Sequence, residues 1–249
     1  MNITVLIAGV HDPKWPIALG SGALPEVDAD RQIMSPFDEA ALEIALRIRD
    51  ANPAVSIRAF VAGGDAGAKI ARAVAAFNPA HVSTIQIETP WDQSIVAATL
   101  AQLCGDVDLI LIGREFGDYD DGLVPPMLAA KLDVNYFGRA QVVTTKDGLR
   151  LMREAGSCEE RCTVSSRLVA SVTNDRRTRL RKPLMKNVML ARQAEIMAVE
   201  VTHPAPTGLQ FERTTERSSF RLATVCTMIE GTIEQQAQSL AALLIAARA

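Results

Sequence analysis

Residues 108–124 read DLILIGREFGDYDDGLV, an apolar run that ends at Gly113 and continues into a loop rich in acids. A short, unbroken apolar run of this kind predicts a parallel strand that is covered on both faces. A helical pattern follows at 123–132. A strand that passes through a glycine-containing loop into a helix is typical of a doubly wound α/β sheet, in which the ligand lies at the carboxyl ends of the strands.

The same alternation of strands and helices fills the chain before this segment. The start of one helix is well marked, because Ser35 can cap it, Pro36 suits its first position and Asp38 can reach back to free amides. We therefore expect a three-layer α/β/α fold of the nucleotide-binding type, with a mostly parallel sheet and right-handed crossovers. The predicted strands lie at 2–10, 55–61 and 81–87, and the predicted helices at 36–51, 66–77 and 94–104.

The pattern changes after about residue 133. Two segments around a Lys-Asp-Gly turn predict an added β-hairpin, a longer strand follows, and an Ala-rich amphipathic helix closes the chain. These elements are expected at 136–144, 148–154, 162–173 and 232–247. We expect residues 1–195 to form one domain, which includes a basic loop at about 174–192. Residues 196–249 are expected to form an extended arm and a helix.

Composition limits the classes of function. The chain has 249 residues, 48% of them hydrophobic, and a net charge of −3, which suits a folded domain with a full core. We expect no nucleic-acid partner and no membrane insertion, because the charge is acidic overall and no apolar stretch approaches the roughly 18 residues that span a bilayer. The N-terminus shows no export signal, so we expect a cytoplasmic protein.

Residue types suited to catalysis form no recognisable motif in this sequence. The three histidines lie outside any nucleophile motif, and the patterns G-x-S-x-G and H-E-x-x-H are missing. Cys158 and Cys162 have no nearby histidine with which to complete a tetrahedral zinc site. They are either a redox pair or two ordinary thiols. We expect neither catalytic residues nor a metal site.

The loop at 113–122 joins a strand end to a helix start, where free backbone amides suit a phosphate. It lacks G-x-x-x-x-G-K-[ST] and G-x-G-x-x-G, which argues against an ATPase-type phosphate loop and a dehydrogenase-type dinucleotide site. Its acids repel a phosphate unless they point away. The loop is therefore either a nucleotide site or a solvated connection.

The segment 176–192 holds seven of the 26 basic residues of the chain. Nucleic-acid binding is disfavoured because interleaved aromatic residues for base stacking are missing. A docking loop for an acidic protein partner fits better, and a solvated loop is the alternative.

Three segments together resemble the β subunit family of electron transfer flavoproteins. The first, MSPFDEAALE at 34–43, is similar to N-P-F-[CD]-E-x-A-[VL]-E of that family. The second is the strand and loop from Asp108, followed by MLAA at 127–130, which is similar to D-L-[IV]-[IL]-x-G-[KR]-Q-x-x-D-x-D and its helix. The third, PLMKNVMLAR at 183–192, is similar to S-L-P-N-I-M-K-A-K. The order and spacing match over about residues 1–195.

The resemblance implies a function in electron transfer. Such β subunits pair with a larger α subunit, which holds most of the FAD at the interface. The pair carries electrons from flavoprotein dehydrogenases to an acceptor such as a quinone reductase. The chain is then an electron carrier subunit rather than an enzyme by itself, and it binds an adenine nucleotide, either AMP or a second FAD. The alternative is a stand-alone adenine-nucleotide-binding module, related to stress proteins or adenylating enzymes.

The resemblance also implies roles for individual residues. Trp15 is expected near the flavin of the α subunit. Docking is expected to use Arg177 and Arg179, with Leu184 or Met185 as the apolar anchor. The adenine nucleotide is expected at Ala8, Ser35, Pro36, Phe37, Asp38, Val61, Gly113, Arg114, Asp118, Asp120, Gly122, Leu123 and Val124.

This sequence departs from the family pattern in the phosphate loop. Gly122-Leu123-Val124-Pro125 stands where AMP binders have N-Q-T-G, so the threonine hydroxyl is missing and the prolines donate no amide. Val124 and Pro126 agree with the Q-V-G-P pattern of members that bind a second FAD, whereas Leu123 and Pro125 do not. AMP, a second FAD, an empty site and a site filled by the chain itself all stay open.

Overall fold

Alternate side chains of the central strand enter two separate hydrophobic cores in this computed structural model. In β1 (Asn2–Ala8), Val5 and Ile7 pack on one face of the sheet, and Leu6 and Ala8 pack on the other. Both faces of a parallel sheet must be covered, which explains the unbroken apolar run of this strand. The structure describes residues 1–17, 28–145, 148–205, 207–210, 212 and 228–246.

Strands and helices alternate along the first half of the described chain. The further strands are β2 (Val10–His11), β3 (Gln32–Ile33), β4 (Ser56–Ala62), β5 (His81–Ile85), β6 (Leu109–Gly113), β7 (Asn135–Ala140), β8 (Val142–Thr144), β9 (Leu149–Ala155), β10 (Cys158–Val164), β11 (Leu168–Val172) and β12 (Met197–Val199). The helices are α1 (Pro36–Ala51), α2 (Gly64–Ala75), α3 (Gln93–Gln102), α4 (Val124–Leu132), α5 (Met185–Gln193) and α6 (Ile233–Ala246).

The main sheet has the strand order β12-β5-β4-β1-β6-β11-β7, and all of its described pairs are parallel. Helices α1 and α2 pack against one face, and α3 and α4 pack against the other. The predicted three-layer α/β/α fold is thereby confirmed. The chain moves outward from β1 to β4 and β5 and then returns to β6, so the strand order reverses between β1 and β6.

The predicted hairpin and the long strand after it differ from the structure. Only the second part of the predicted segment 136–144 enters a hairpin: β7 joins the main sheet beside β11, whereas β8 pairs with β9 in the small antiparallel sheet β10-β9-β8. The chain leaves the main sheet near Arg139, which has a φ of 59°. The predicted strand 162–173 is divided between β10, which is exposed, and β11, which is buried throughout, because the two belong to different sheets. The turn residues 146 and 147 lie outside the described residues.

The start of the expected C-terminal arm belongs to the edge of the main sheet. β12 pairs with β5 in parallel. Beyond it, the Gln102 side chain donates to the Thr202 carbonyl oxygen at 2.7 Å and accepts from the Thr202 amide at 2.9 Å. The Thr207 hydroxyl donates to the Asp92 carboxylate. These bonds attach β12, Thr202 and Thr207 to β5 and to the helix α3 with its capping residue.

Contacts divide the chain into two compact units, Met1–Thr214 and Thr215–Ala249. In the second unit the structure describes α6, which confirms the predicted closing helix. The apolar side chains of this helix are exposed.

A buried carboxylate joins α1 to the segment that precedes α5. Glu43 is 2% exposed, and it accepts hydrogen bonds from the Arg181 amide, Nε and Nη2 at 3.2, 3.0 and 3.0 Å. Arg47 Nε donates to it at 2.7 Å. Burial alone would raise the pKa of Glu43, but the hydrogen bonds from Arg181 and Arg47 lower it.

Replacing Arg181 is expected to weaken the fold. Arg181→Ala removes the two hydrogen bonds that the guanidinium donates to the buried Glu43 carboxylate, so the free energy of unfolding should fall by about 2 kcal/mol. Urea denaturation at pH 7 measures this loss. Lys182→Ala is the matched control, since Lys182 is exposed and has no ion pair among the described residues. Equal effects of the two substitutions would contradict the role given to Glu43.

Candidate functional site

A cavity of about 310 Å³ opens where β1, β4 and β5 end. Ala8, Ala62 and Gln86 line it from these strand ends, and the loop between β6 and α4 contributes the segment Phe116–Tyr119. The cavity therefore lies at the carboxyl edge of the parallel sheet, where the fold class predicts a ligand. Its size is at the lower end of the range of small-ligand pockets, about 300–1,000 Å³.

Two of the predicted nucleotide contacts, Ala8 and Asp118, line this cavity, whereas Val61 is fully buried at the end of β4. Sequence reasoning missed Gln32 and Gln86, which also line the cavity. Gln86 directly follows β5, so the rule that ligands bind at strand ends could have identified it. For Gln32 the sequence contains no comparable signal.

The predicted contacts from Ser35 to Asp38 form the start of α1. Ser35 Oγ accepts from the Asp38 amide at 3.0 Å, and the Asp38 carboxylate accepts from Ser35 N and Oγ at 3.1 and 2.9 Å. Pro36 occupies the first helical position. The predicted capping box is confirmed. The side chains of Ser35 and Asp38 form hydrogen bonds with each other and with the backbone at the start of α1.

Asp38 is buried between the ends of β1 and β6. A Cβ atom added at Gly113 would lie 3.0 Å from Phe37 Cβ and 3.3 Å from Asp38 Oδ1, so the start of α1 packs tightly against this glycine. Among the described residues, Asp38 Oδ1 has no hydrogen-bond partner. Burial raises the pKa of Asp38 to about 7, although the hydrogen bonds from Ser35 oppose this shift.

Asp120 binds the backbone amides at the start of α4. Its Oδ1 accepts from the amides of Gly122, Leu123 and Val124 at 3.0, 2.8 and 3.1 Å. Its Oδ2 accepts from the Phe116 amide at 2.8 Å. The side chain is buried, and both of its oxygens are used. The amides that sequence analysis assigned to a phosphate are thus bonded to a carboxylate of the chain.

The remaining predicted contacts of this loop are also engaged within the chain. Arg114 forms an ion pair with Glu115, and its guanidinium lies 4.8 Å from the centroid of the Phe37 ring. Asp118 Oδ2 accepts from the amide of His11 at 2.9 Å. Charged side chains of the loop therefore contact α1 and β2.

Trp15 lies in the segment that follows β2. Its side chain is 53% exposed, and the Arg31 guanidinium lies 5.0 Å from the ring centroid. His11 Nε2 lies 3.0 Å from the Trp15 carbonyl oxygen. These contacts position the Trp15 ring, which stays exposed to solvent.

The basic segment is partly helical rather than a loop, because it contains α5. Sequence analysis missed this helix, although apolar residues recur at 184–185 and 188–190 with helical spacing. They are largely exposed instead of packed in the core: Leu184, Met185 and Met189 are exposed by 71%, 74% and 62%. The prediction of a loop at about 174–192 followed from the many basic residues and is wrong for 185–193.

The arginines of this segment differ in their surroundings. Arg177 forms ion pairs with Asp175 and Glu154, and Arg181 is bound to α1. Arg179 is exposed. Burial raises the pKa of the Glu39 carboxyl, and the positive charge of Arg179 opposes this shift.

A second cavity, of about 480 Å³, lies between α2 and α5. Apolar side chains such as Phe77, Leu180 and Val188 line it together with Arg72 and Arg192.

The described ranges contain no group of three or more His, Cys, Asp or Glu residues arranged to hold a metal ion. Nor do these ranges include a helix with the length and apolarity that crossing a membrane requires. Cys158 and Cys162 are exposed and carry free thiols.

Comparison with models of protein families matches residues 26–204 to the family described as "Electron transfer flavoprotein domain". The match covers well over half of the chain, including α1, the loop between β6 and α4, and α5. A curated relative, the electron transfer flavoprotein subunit beta of Bacillus subtilis (strain 168), is 30% identical over 139 residues. That alignment covers 54% of this chain and 53% of the relative, so the chain matches about half the length of that protein.

The burial of Asp38 is expected to make stability depend on pH. The native state keeps a proton up to a pKa of about 7, whereas the unfolded chain loses it near the ordinary value of 3.8. The native state thus binds more protons between these values, and this group's contribution to stability falls as the pH rises from about 4 to about 7.

Asp38→Asn removes this titration, so its unfolding free energy should fall less over that range than the wild-type value. Urea denaturation at pH 4, 5.5 and 7 measures the difference, with Asp65→Asn, an exposed acid in α2, as the control. Parallel pH profiles of the wild type and Asp38→Asn would contradict the assignment.

Proposed function

Since this chain belongs to the electron transfer flavoprotein domain family, we propose that it is the β subunit of a two-chain electron carrier. Its partner is an α subunit that holds most of the FAD. The pair accepts electrons from flavoprotein dehydrogenases and delivers them to an acceptor such as a quinone reductase. The family match carries this proposal, because it runs through the sheet, the loop after β6 and the basic segment. The similarity to a protein named as a beta subunit adds support.

In this proposal the chain supports redox chemistry without making or breaking bonds itself. FAD, when bound at the interface, supplies the electron transfer. Trp15 and Arg31 are the residues of this chain that we propose lie against it. The exposed indole offers a flat apolar surface, and the guanidinium beside it suits an electron-rich ring or a phosphate.

We propose that α5 is the surface on which the dehydrogenase docks. The exposed Leu184, Met185 and Met189 form an apolar surface that the rest of the described chain does not cover. Contiguous exposed apolar surface of this kind is typical of protein contacts. Leu184 or Met185 is the anchor that enters a pocket of the partner.

The charges around α5 are proposed to guide the partner. Arg177 is already paired with carboxylates of this chain. Within the described residues, Lys182, Lys186 and Arg192 have no ion pair, so their charges are available to an acidic surface. Charges of this kind raise the association rate and favour the correct partner.

The contact with the α subunit is proposed to involve residues beyond β12. We propose 1–195 as the nucleotide-binding domain and 196–249 as the arm and helix. Because β12 belongs to the chain's own sheet, the arm would leave this domain after about residue 207. The exposed Leu240, Leu243 and Leu244 of α6 supply apolar surface for the partner.

Co-expression with a candidate α subunit from a neighbouring gene tests this function. We expect a stable two-chain complex that contains FAD and is reduced by a flavoprotein dehydrogenase with its substrate. A chain that stays alone, binds ATP and contains no flavin would contradict the proposal. It would favour the stand-alone adenine-nucleotide-binding module instead.

Loss of the apolar anchor is expected to slow electron entry. Leu184→Ala, combined with Met185→Ala, removes apolar surface from the docking face, so kcat/KM for flavin reduction by the dehydrogenase should fall about tenfold. Stopped-flow absorbance of the flavin measures the rate. Met197→Ala is the matched control, because Met197 is 68% exposed but lies on β12 rather than α5. Unchanged kinetics in the double variant would exclude α5 as the docking face.

A further inference from the structure

We propose that strand β10 binds the same strand of a second copy of this chain, edge to edge and antiparallel. Oxidation then joins the two copies by disulfides between Cys158 of each copy and Cys162 of the other. The pairing is independent of the function proposed above, because it uses neither the cavity at the sheet edge nor the face of α5.

The free edge of β10 is the first observation. β10 is the outer strand of the small sheet β10-β9-β8, and among the described strands it pairs with β9 alone. Every residue from Cys158 to Thr163 is exposed. In the part of the chain that the structure describes, the second edge of β10 therefore presents unpaired backbone donors and acceptors. An edge of this kind can pair with a further strand.

The turn before β10 decides which of its backbone groups point outward. A loop of two residues joins Ala155 to Cys158, its partner across the hairpin. In such a turn the amide of the fourth residue donates to the carbonyl of the first, so the Cys158 amide points toward β9. Because backbone direction alternates along a strand, Glu160 and Cys162 also point their backbone groups toward β9. The residues with backbone groups at the free edge are then Glu159, Arg161 and Thr163.

An antiparallel pair of identical strands has a twofold axis, and an axis at Glu160 makes β10 complementary to itself. Cys158 then lies opposite Cys162 of the second copy, and Glu159 lies opposite Arg161 of the second copy. Symmetry repeats each pairing, so the interface contains two thiol pairs and two pairs of opposite charge. An axis at Arg161 instead would place Cys162 opposite Glu160 and would align no thiols.

The same register gives the thiols the spacing of a disulfide. Since the backbone groups of Cys158 and Cys162 point toward β9, these residues form non-hydrogen-bonded pairs with the second copy, in which the Cα atoms are about 4.5 Å apart. A disulfide requires about 4.4–6.8 Å between Cα atoms. Within one copy the two cysteines are four strand residues apart, about 13 Å, which is too far for a bond. These two thiols can therefore pair with each other only between copies.

The charges on β10 favour this register. Charged residues usually keep strand edges apart, but opposite charges directly across a strand pair stabilise it. Arg161 is 80% exposed and bonds Glu159 of its own chain at 2.5 Å, so it can reach Glu159 of the second copy without leaving a buried partner. The two Glu160 carboxylates meet at the axis. Each is already paired with Arg153 at 2.6 Å, which offsets their repulsion.

The covalent step is an exchange with a small disulfide such as oxidised glutathione. The Cys162 thiolate attacks one sulfur of the reagent, forms a mixed disulfide and releases one glutathione thiolate. The Cys158 thiolate of the second copy then attacks the Cys162 sulfur, forms the bond between the copies and releases the second glutathione thiolate. The two cysteine protons pass to the released thiolates. Each bond thus reduces one reagent molecule to two thiols, and excess thiol reverses it.

Oxidation of the full-length chain tests the bond. We expect oxidised glutathione to convert the 26.8 kDa chain into a dimer on non-reducing gels, and dithiothreitol to restore the monomer. Trypsin cleaves after Arg161, so the two cysteines lie in different peptides, and mass spectrometry should find 154–161 joined to 162–167. A chain that stays monomeric, or a dimer joined through two copies of the same cysteine, would overturn the proposal.

Single variants test the symmetry of the pair. Because every bond joins one Cys158 to one Cys162, Cys158→Ser and Cys162→Ser should each stay monomeric after oxidation. An equimolar mixture of the two should form a mixed dimer, held by the one cysteine of the pair that each chain retains. Dimers of either variant alone, or no mixed dimer, would contradict the register. Cys226→Ser, at a cysteine outside the described residues, is the control and should dimerise like the wild type.

A charge exchange separates strand pairing from chance collision of exposed thiols. Glu159→Arg places like charges opposite each other, so the dimer should form about fivefold more slowly. Adding Arg161→Glu restores opposite charges and should recover most of the wild-type rate. Asp65→Arg, the same change at an exposed acid of α2, is the control. An unchanged rate in Glu159→Arg, or a double variant no faster than the single one, would overturn the pairing.

Discussion

The parallel sheet must be covered on both faces, and this requirement organises the rest of the molecule. Strand β6 is buried throughout, and β1 is buried from Ile3 to Ala8, so α1 and α2 on one side and α3 and α4 on the other are held in place by apolar packing. The cavity lies at the carboxyl edge, and the exposed face of α5 lies outside the layers.

At that edge the chain uses carboxylates to position its own backbone. Asp38 accepts a hydrogen bond from the Ser35 amide at the start of α1 and packs against Gly113. Asp120 accepts hydrogen bonds from the amides at the start of α4. Both side chains are buried, and both contribute to the shape of the site. The first amides of α4 are therefore bonded to a side chain of the same loop.

Some features of this molecule are predictable from sequence because their signals are local. The sequence predicts α1 over 36–51, and the helix has those bounds, since its cap, its first proline and the Asn52-Pro53 stop are adjacent in the chain. The apolar run that becomes β6 is equally clear. The position of the cavity follows from the fold class alone.

Other features depend on contacts between distant parts of the chain. The sequence places an acid at 120, but which amides it binds is decided by how the loop folds. The division of 162–173 between two sheets reflects different partners for β10 and β11. Helix α5 is hard to predict because its apolar residues face solvent, whereas apolar residues at helical spacing normally indicate a face that packs in the core.

The most direct test of the electron-carrier function is the cofactor content of the purified two-chain complex. The complex would be denatured, and the released FAD and AMP would be quantified by chromatography against the amount of protein. The account predicts at least one FAD per pair of chains. A complex without flavin would contradict the function in electron transfer.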